Sequence, residues 1–366
     1  MRRYLPKNTE ELLRWYERYV SPLSLLAGFL ADNFFLLKRV DLFRTNALLF
    51  FYLLVAALAI VLINMLEAGR LRAKWMIAAA PFIPVIAQFC FGGLFSGYLS
   101  LYSRSASLAV SWIFVVALAL LLFGNERFTR LYSRFPFQIG LYFFVLFSFL
   151  EFFLPVVFHQ IGPYMFFAAG LLSLTLITLF MLMMRRLAPV IARAGAQRAI
   201  MAIVVIFFAF NVLYFGNVIP PLPLSLKDAG VYHSVVRLSD GSYQLEGESV
   251  PWYKSFLRYN DVFHQTPGGQ VYVYASVFAP SGLNTEVLHQ WQYYNPATQQ
   301  WKTTDTISYP IAGGLDGGYK GYSYKGYLTP GSWRVNIITQ YGQIIGQVAF
   351  TVENATEPPT LETSTE

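Results

Sequence analysis

Cysteine is almost missing from this 366-residue chain, and the single example, Cys90, sits inside an apolar run. One thiol excludes a disulfide framework and a cysteine-based zinc site, and nothing nearby would activate it as a nucleophile. Histidine is equally sparse. His159, His233, His264 and His289 have neither the spacing of a zinc-binding helix nor that of a hydrolase nucleophile elbow. The glycine-rich run 313–318 lacks the Lys-Ser or Lys-Thr that would follow in a phosphate loop, so it reads as a turn. Charged residues make up only 13% of the chain. No cofactor, metal or catalytic constellation is therefore expected, and the chain reads as non-enzymatic.

Apolar mass is abundant instead. Hydrophobic residues reach 55% and aromatics 17%, outside the usual composition of a soluble globular protein. A helix rising about 1.5 Å per residue needs roughly 20 apolar residues to cross a bilayer core. Seven stretches qualify, at about 20–37, 45–66, 75–98, 105–123, 137–158, 161–184 and 198–218. Residues up to 226 hold 19 Lys and Arg against 8 Asp and Glu, almost all in the short connections, whereas the remainder holds 8 against 12. That distribution is expected of membrane anchoring rather than nucleic-acid binding. With the N terminus inside, the inner segments carry 15 basic residues and the outer loops 4, so the positive-inside rule places the N terminus in the cytoplasm and everything after Pro220 outside it. The basic segment 1–19 has the amphipathic character of an interfacial helix.

Pro220, Pro221 and Pro223 end the last run, and 220–230 reads as a stiff linker. Beyond it the apolar period becomes two. Strands are expected near 231–238, 270–278, 286–294, 301–307, 319–324, 333–339 and 344–352, with a hairpin turn at Tyr341-Gly342. Seven short strands in 231–353 suggest an all-β, immunoglobulin-like sandwich. The tail 354–366, rich in Thr, Glu and Pro, lacks apolar mass and is expected to be disordered.

Ionisable and amide groups inside a span are costly, so each requires a reason. Measured from the inner ends of helices one, three, five and seven, Asp32, Gln88, Glu151 and Asn211 fall at similar depth, forming one expected polar layer. Pro155 should bend the helix beside Glu151. Hydrogen-bonded glue between helices is the plainer reading of that layer; a proton or cation site is the alternative. Gly93-x-x-x-Gly97 offers a smooth packing face. Arg104, flanked by Ser103 and Ser105, marks an interfacial anion candidate, with snorkelling as the simpler account. In the β-region, His289, Trp291 and Tyr293 alternate onto one strand face, and Tyr322 and Tyr324 enrich a neighbouring strand. Together they form a candidate binding platform, although core packing is the prior reading for aromatics in sheets.

Three motif groups, Gln88-Phe89-Cys90-Phe91-Gly92-Gly93, Tyr102-Ser103-Arg104-Ser105 and Gly124-Asn125-Glu126, resemble a group of uncharacterised bacterial polytopic membrane proteins. The segments His289-Gln290-Trp291, Gly318-Tyr319-Lys320-Gly321-Tyr322-Ser323 and Pro330-Gly331-Ser332-Trp333-Arg334-Val335 resemble the C-terminal domain of unknown function that they share, the family numbered 2914. The resemblance implies a multi-pass protein of the bacterial inner membrane with a periplasmic domain, and it implies no activity. The expected function is an envelope protein embedded in the lipid bilayer whose periplasmic sandwich binds a protein, lipid or glycan partner. The alternatives are a transporter or channel built on the polar layer and, further off, an intramembrane enzyme acting on lipid-linked substrates.

Overall fold

The computed structural model describes residues 42–105, 108–125, 131–221, 223–249, 262–280, 283–312 and 318–366. Two compact units emerge. One comprises residues up to Ser103, Ile113–Val157 and Pro163–Ile219; the other comprises Arg104–Trp112, Phe158–Gly162 and Pro220–Glu366.

The helical unit is built from α1 (Phe43–Glu67), the short α2 (Lys74–Ala79), α3 (Ile83–Ser105), α4 (Leu108–Gly124), α5 (Phe135–Phe158), α6 (Pro163–Leu187) and α7 (Pro189–Phe215). A 3₁₀ turn at Ala80–Phe82 joins α2 to α3. Five of these stretches are long and apolar enough to cross a membrane, and a sixth, within α4, is apolar but shorter. The expected span at 20–37 and the segment 1–19 lie outside the described residues. Pro163 and Pro189 occupy the first turns of α6 and α7, where a missing N–H costs nothing because those donors have no intrahelical acceptor. α7 consequently starts nine residues before the expected 198, and both Arg193 and Arg198 lie within it.

Aromatic rings fill the helical unit. Phe147 of α5 stacks on Phe210 of α7 at 4.6 Å, and Phe166 of α6 stacks on Tyr214 of α7 at 3.8 Å. The expected packing role of Gly93 is observed, because a Cβ there would run into the ring of Tyr52 on α1.

The part of the second unit after 220 is all-β, with eleven strands among its described residues: β1 (Ser225–Tyr232), β2 (Ser234–Arg237), β3 (Tyr243–Glu248), β4 (Val262–Gln265), β5 (Val271–Phe278), β6 (Asn284–Asn295), β7 (Gln300–Ala312), β8 (Tyr319–Lys325), β9 (Gly331–Thr339), β10 (Ile344–Asn354) and β11 (Leu361–Thr365). They form a five-stranded sheet, β4-β10-β9-β6-β7, and two three-stranded sheets, β1-β5-β8 and β11-β3-β2. All pairings are antiparallel except β4 with β10. The expected turn at Tyr341-Gly342 closes the β9–β10 hairpin, with Gly342 at φ +80° and its N–H donating to the Thr339 carbonyl.

The main core lies between the five-stranded sheet and β1-β5-β8. Val271, Val273, Ala275 and Val277 of β5 meet Val287 and Trp291 of β6, Val335 and Ile337 of β9, and Phe350 and Val352 of β10. Ile161, from the turn between α5 and α6, belongs to the same core alongside Leu224, Ile337 and Ile345. The ring of Tyr341 fills the space where a Cβ on Gly162 would stand, and that glycine has φ +114°, so the position strongly favours glycine. On the other face of β5, Tyr274 packs with Val235, Tyr243 and Leu245 of the third sheet.

Two expectations fail here. The tail 354–366 is not wholly disordered, since β11 pairs along β3 from Leu361 opposite Glu248 to Thr365 opposite Gln244. Every β11 side chain is exposed, so the strand forms through backbone bonds that composition does not reveal. The linker 220–230 is also shorter than expected. β1 starts at Ser225 and pairs with β5, although its sequence SLKDAGVY shows no clean alternation.

Candidate functional site

The expected polar layer in the helices does not form as a single layer. Glu151 on α5 is buried and accepts a 2.8 Å hydrogen bond from the Tyr102 hydroxyl on α3, while Tyr98, one turn earlier, donates to the Val145 carbonyl at 2.7 Å. Gln88 instead turns to the end of α4, donating to the Asn125 carbonyl at 3.3 Å and receiving the Asn125 amide on its own carbonyl at 2.9 Å. Tyr132 donates to Asn125, and Gln138 bridges the Tyr132 carbonyl to Asn64. Asn211, half-buried, bonds back to the Phe207 carbonyl of its own helix. Asp32 lies outside the described residues. The helices thus carry two separate polar knots, one at Tyr102–Glu151 and one joining Asn64, Gln88, Asn125, Tyr132 and Gln138, and both act as interhelical hydrogen-bonded joints. Ser103 bonds the Ser100 carbonyl at 3.1 Å; the side chains of Arg104 and Ser105 are outside the described set.

The expected platform in the β-region also divides. Side chains alternate along a strand, and β6 turns its odd-numbered residues inward. His289 and Trp291 are wholly buried, and Tyr293 is half-buried against Trp333 at 5.1 Å. His289 Nδ1 meets Ser323 Oγ at 2.8 Å, its Nε2 meets the Tyr309 hydroxyl at 3.2 Å, and the same Ser323 Oγ accepts from Trp291 Nε1 at 2.9 Å. Burial drives the imidazole down to about 3, so it is neutral at physiological pH, and burial raises the Tyr309 phenol. This knot is closed to solvent, which removes His289 and Trp291 from any binding surface. Tyr322 and Tyr324 stay exposed on β8, where Tyr324 stacks on Tyr272 at 5.3 Å.

The surface that the pattern does present lies one residue out of step. The even-numbered residues of β6 face outward with those in register on β9, β10 and β7. Gln290, Asn336 and Gln347 form one cross-strand row: Asn336 Nδ2 donates to Gln290 Oε1 at 3.1 Å, and Gln347 Nε2 donates to Asn336 Oδ1 at 2.7 Å. In the adjacent row Arg334 Nε donates to Gln292 Oε1 at 2.7 Å, and Gln292 Nε2 donates to Thr303 at 3.0 Å. The Arg334 guanidinium lies over the Trp301 ring at 4.3 Å, and Tyr294 meets that ring edge-on at 5.3 Å. Partial burial lowers the Arg334 guanidinium from its ordinary value, yet an arginine stays charged. The amides orient one another, so the face is organised before any partner arrives.

Elsewhere, Glu248 receives His264 Nδ1 at 2.7 Å, the His264 backbone N–H at 2.6 Å and His233 Nε2 at 3.0 Å. Burial alone would raise this carboxyl, but the histidine hydrogen bonds outweigh it and leave Glu248 below its ordinary value. Among the described residues no group of three His, Cys, Asp or Glu side chains is arranged to hold a metal.

Residues 284–352 match the family described as "Protein of unknown function (DUF2914)". The matched segment runs from β6 into β10 and supplies all the residues of the amide face. No curated protein matches the chain. Among solved structures, Pseudomonas fluorescens alkylpurine DNA glycosylase AlkC bound to DNA containing an abasic site analog aligns over 82% of this chain and 97% of its own, at 10% identity and a TM-score of 0.22. That score is too low for a shared fold, and nothing about this chain follows from it.

Proposed function

We propose that this protein is a non-enzymatic binding protein of the bacterial inner membrane, anchored by its apolar helices and exposing an immunoglobulin-like β-region to the periplasm. The observation that carries the reading is the pre-organised outer face of the five-stranded sheet. Its partly exposed Gln290, Gln292, Gln347 and Arg334 are held by one another and by the buried Asn336. An idle sheet surface has no need of such order, whereas a recognition surface gains affinity from it by reducing the entropy lost on binding.

Loop charge supports the orientation, with 15 basic residues in the inner segments of the seven-span count against 4 in the outer loops. A transporter reading would rest on Glu151, but the polar neighbours it needed are engaged elsewhere: Gln88 with Asn125, and Asn211 with its own helix.

The test places a photo-crosslinking residue at Thr303 or Thr306, both exposed beside the amide rows, and at Thr363 on β11 as a control. Irradiation of intact cells should give a discrete adduct from the first two positions and none from the third. Adducts from Thr363 alone, or from no position, would remove the amide face as the binding surface.

A further inference from the structure

We propose that the amide face takes a carboxylate-bearing glycan strand, with Arg334 receiving the carboxylate and the neighbouring amides and Tyr294 receiving the sugar rings; this deepens, and rests on, the binding reading above.

Arg334 is fixed twice, by its Nε bond to Gln292 and by its stacking on Trp301. Both terminal nitrogens lack a hydrogen-bond partner among the described residues. A guanidinium so held presents parallel N–H groups in a plane, the geometry that binds a carboxylate through two bonds at once.

The charges around it suit an anion. No acidic side chain stands in the two amide rows. On the same strands, Glu286 precedes Gln290 by four residues and Glu353 follows Ala349 by four, so each is about 13 Å along the strand. Asp305, in register with Trp291, belongs to the opposite side of the sheet and is engaged by Lys325. The field at Arg334 therefore favours a negative group.

The amides favour a hydroxyl-rich body on that anion. The Gln290 Nε2 donors and the Gln347 Oε1 acceptor are unused among the described residues, so the row offers both donors and acceptors to sugar hydroxyls that are themselves both. From Gln347 on β10 to Thr306 on β7 the row crosses four strands, about 14 Å. That is long enough for several rings of an extended oligosaccharide. Tyr294 adds an aromatic surface at the Arg334 end. An added peptide strand does not suit the centre of this face, because β6 and β9 already have both backbone edges paired.

The full-length protein in lipid nanodiscs is titrated with tetragalacturonate, with its methyl ester and with a sulfated oligosaccharide of the same length. The acid should bind at least tenfold more tightly than either of the others. Arg334→Gln should abolish that preference, Arg334→Lys should keep part of it, and Trp301→Leu should weaken acid binding. Equal binding of acid and ester, equal binding of the sulfated compound, or acid binding unchanged in Arg334→Gln each overturns the carboxylate assignment. If acid and ester bind equally and both are lost in Trp301→Leu, the binding face stands and only its acidic ligand falls. If no saccharide binds while Thr303 and Thr306 still crosslink in cells, the glycan falls and the face remains; without crosslinks as well, both fall.

Discussion

His289 shows how one buried side chain sets a pH dependence. Its imidazole is neutral between Ser323 and Tyr309, with a value near 3 in the folded protein against an ordinary 6.5. The folded state therefore refuses a proton that the unfolded chain accepts. The neutral knot stabilises fully above pH 6.5, and that contribution is lost as pH falls from 6.5 toward 3, by up to about 1.4 kcal/mol per pH unit. Denaturant titrations of the full chain between pH 6.5 and 5 should show this slope, and His289→Gln should flatten it; equal slopes would assign the acid sensitivity elsewhere. The same residue shows the limit of reading a surface from sequence. The alternation on β6 was plain, but a period of two leaves open which half faces water, and a one-residue shift exchanges the whole set. Aromatic content favoured His289, Trp291 and Tyr293 as the platform, whereas burial favoured the same residues as core. The amides of Gln290 and Gln292 gave no signal until their cross-strand partners on β9 were known.

Strands were readable where side chains are buried and unreadable where only backbone is paired. β6, β9 and β10 alternate because one face of each enters the core, β5 is apolar and buried on both faces, and the expected positions of all four agree with the structure to within a few residues. β11 contributes no buried side chain, so its Leu-Glu-Thr-Ser-Thr sequence resembles a tail. Its role is to cover an edge: β3 would otherwise present unpaired amides along Tyr243–Glu248. Truncation after Ala355 should raise amide hydrogen exchange across β3 by tenfold or more while leaving β6 and β9 protected. Unchanged exchange in β3 would mean that β11 adds no cooperative stability. Helix ends followed the same logic, since the prolines that start α6 and α7 were visible but the polar turns of α7 before Arg198 concealed its early start.

For the molecule as a whole, the number of crossings decides where the β-region resides. Five stretches qualify by length and apolarity, and α4 is a shorter sixth. If all six cross, and the span expected at 20–37 crosses with them, the total is odd and residues after 220 lie on the side opposite the N terminus. Cysteine replacements at Thr303 and at Arg72 in a Cys90→Ala background should differ in intact cells. A membrane-impermeant maleimide should label the first and spare the second; the reverse pattern would invert the orientation and with it the periplasmic reading. Apolar length made the long helices readable from sequence, whereas the pairing of Gln88 on α3 with Asn125 just beyond α4 depends on how two helices meet and was not.

The place of Ile161 bears on how the β-region is prepared for study. A soluble fragment beginning at Pro220 omits that side chain and also Gly162, against which Tyr341 packs. Such a fragment would expose Leu224, Ile337 and Ile345 at a gap the intact chain closes, so instability or clumping in it would describe the excision and not the native protein.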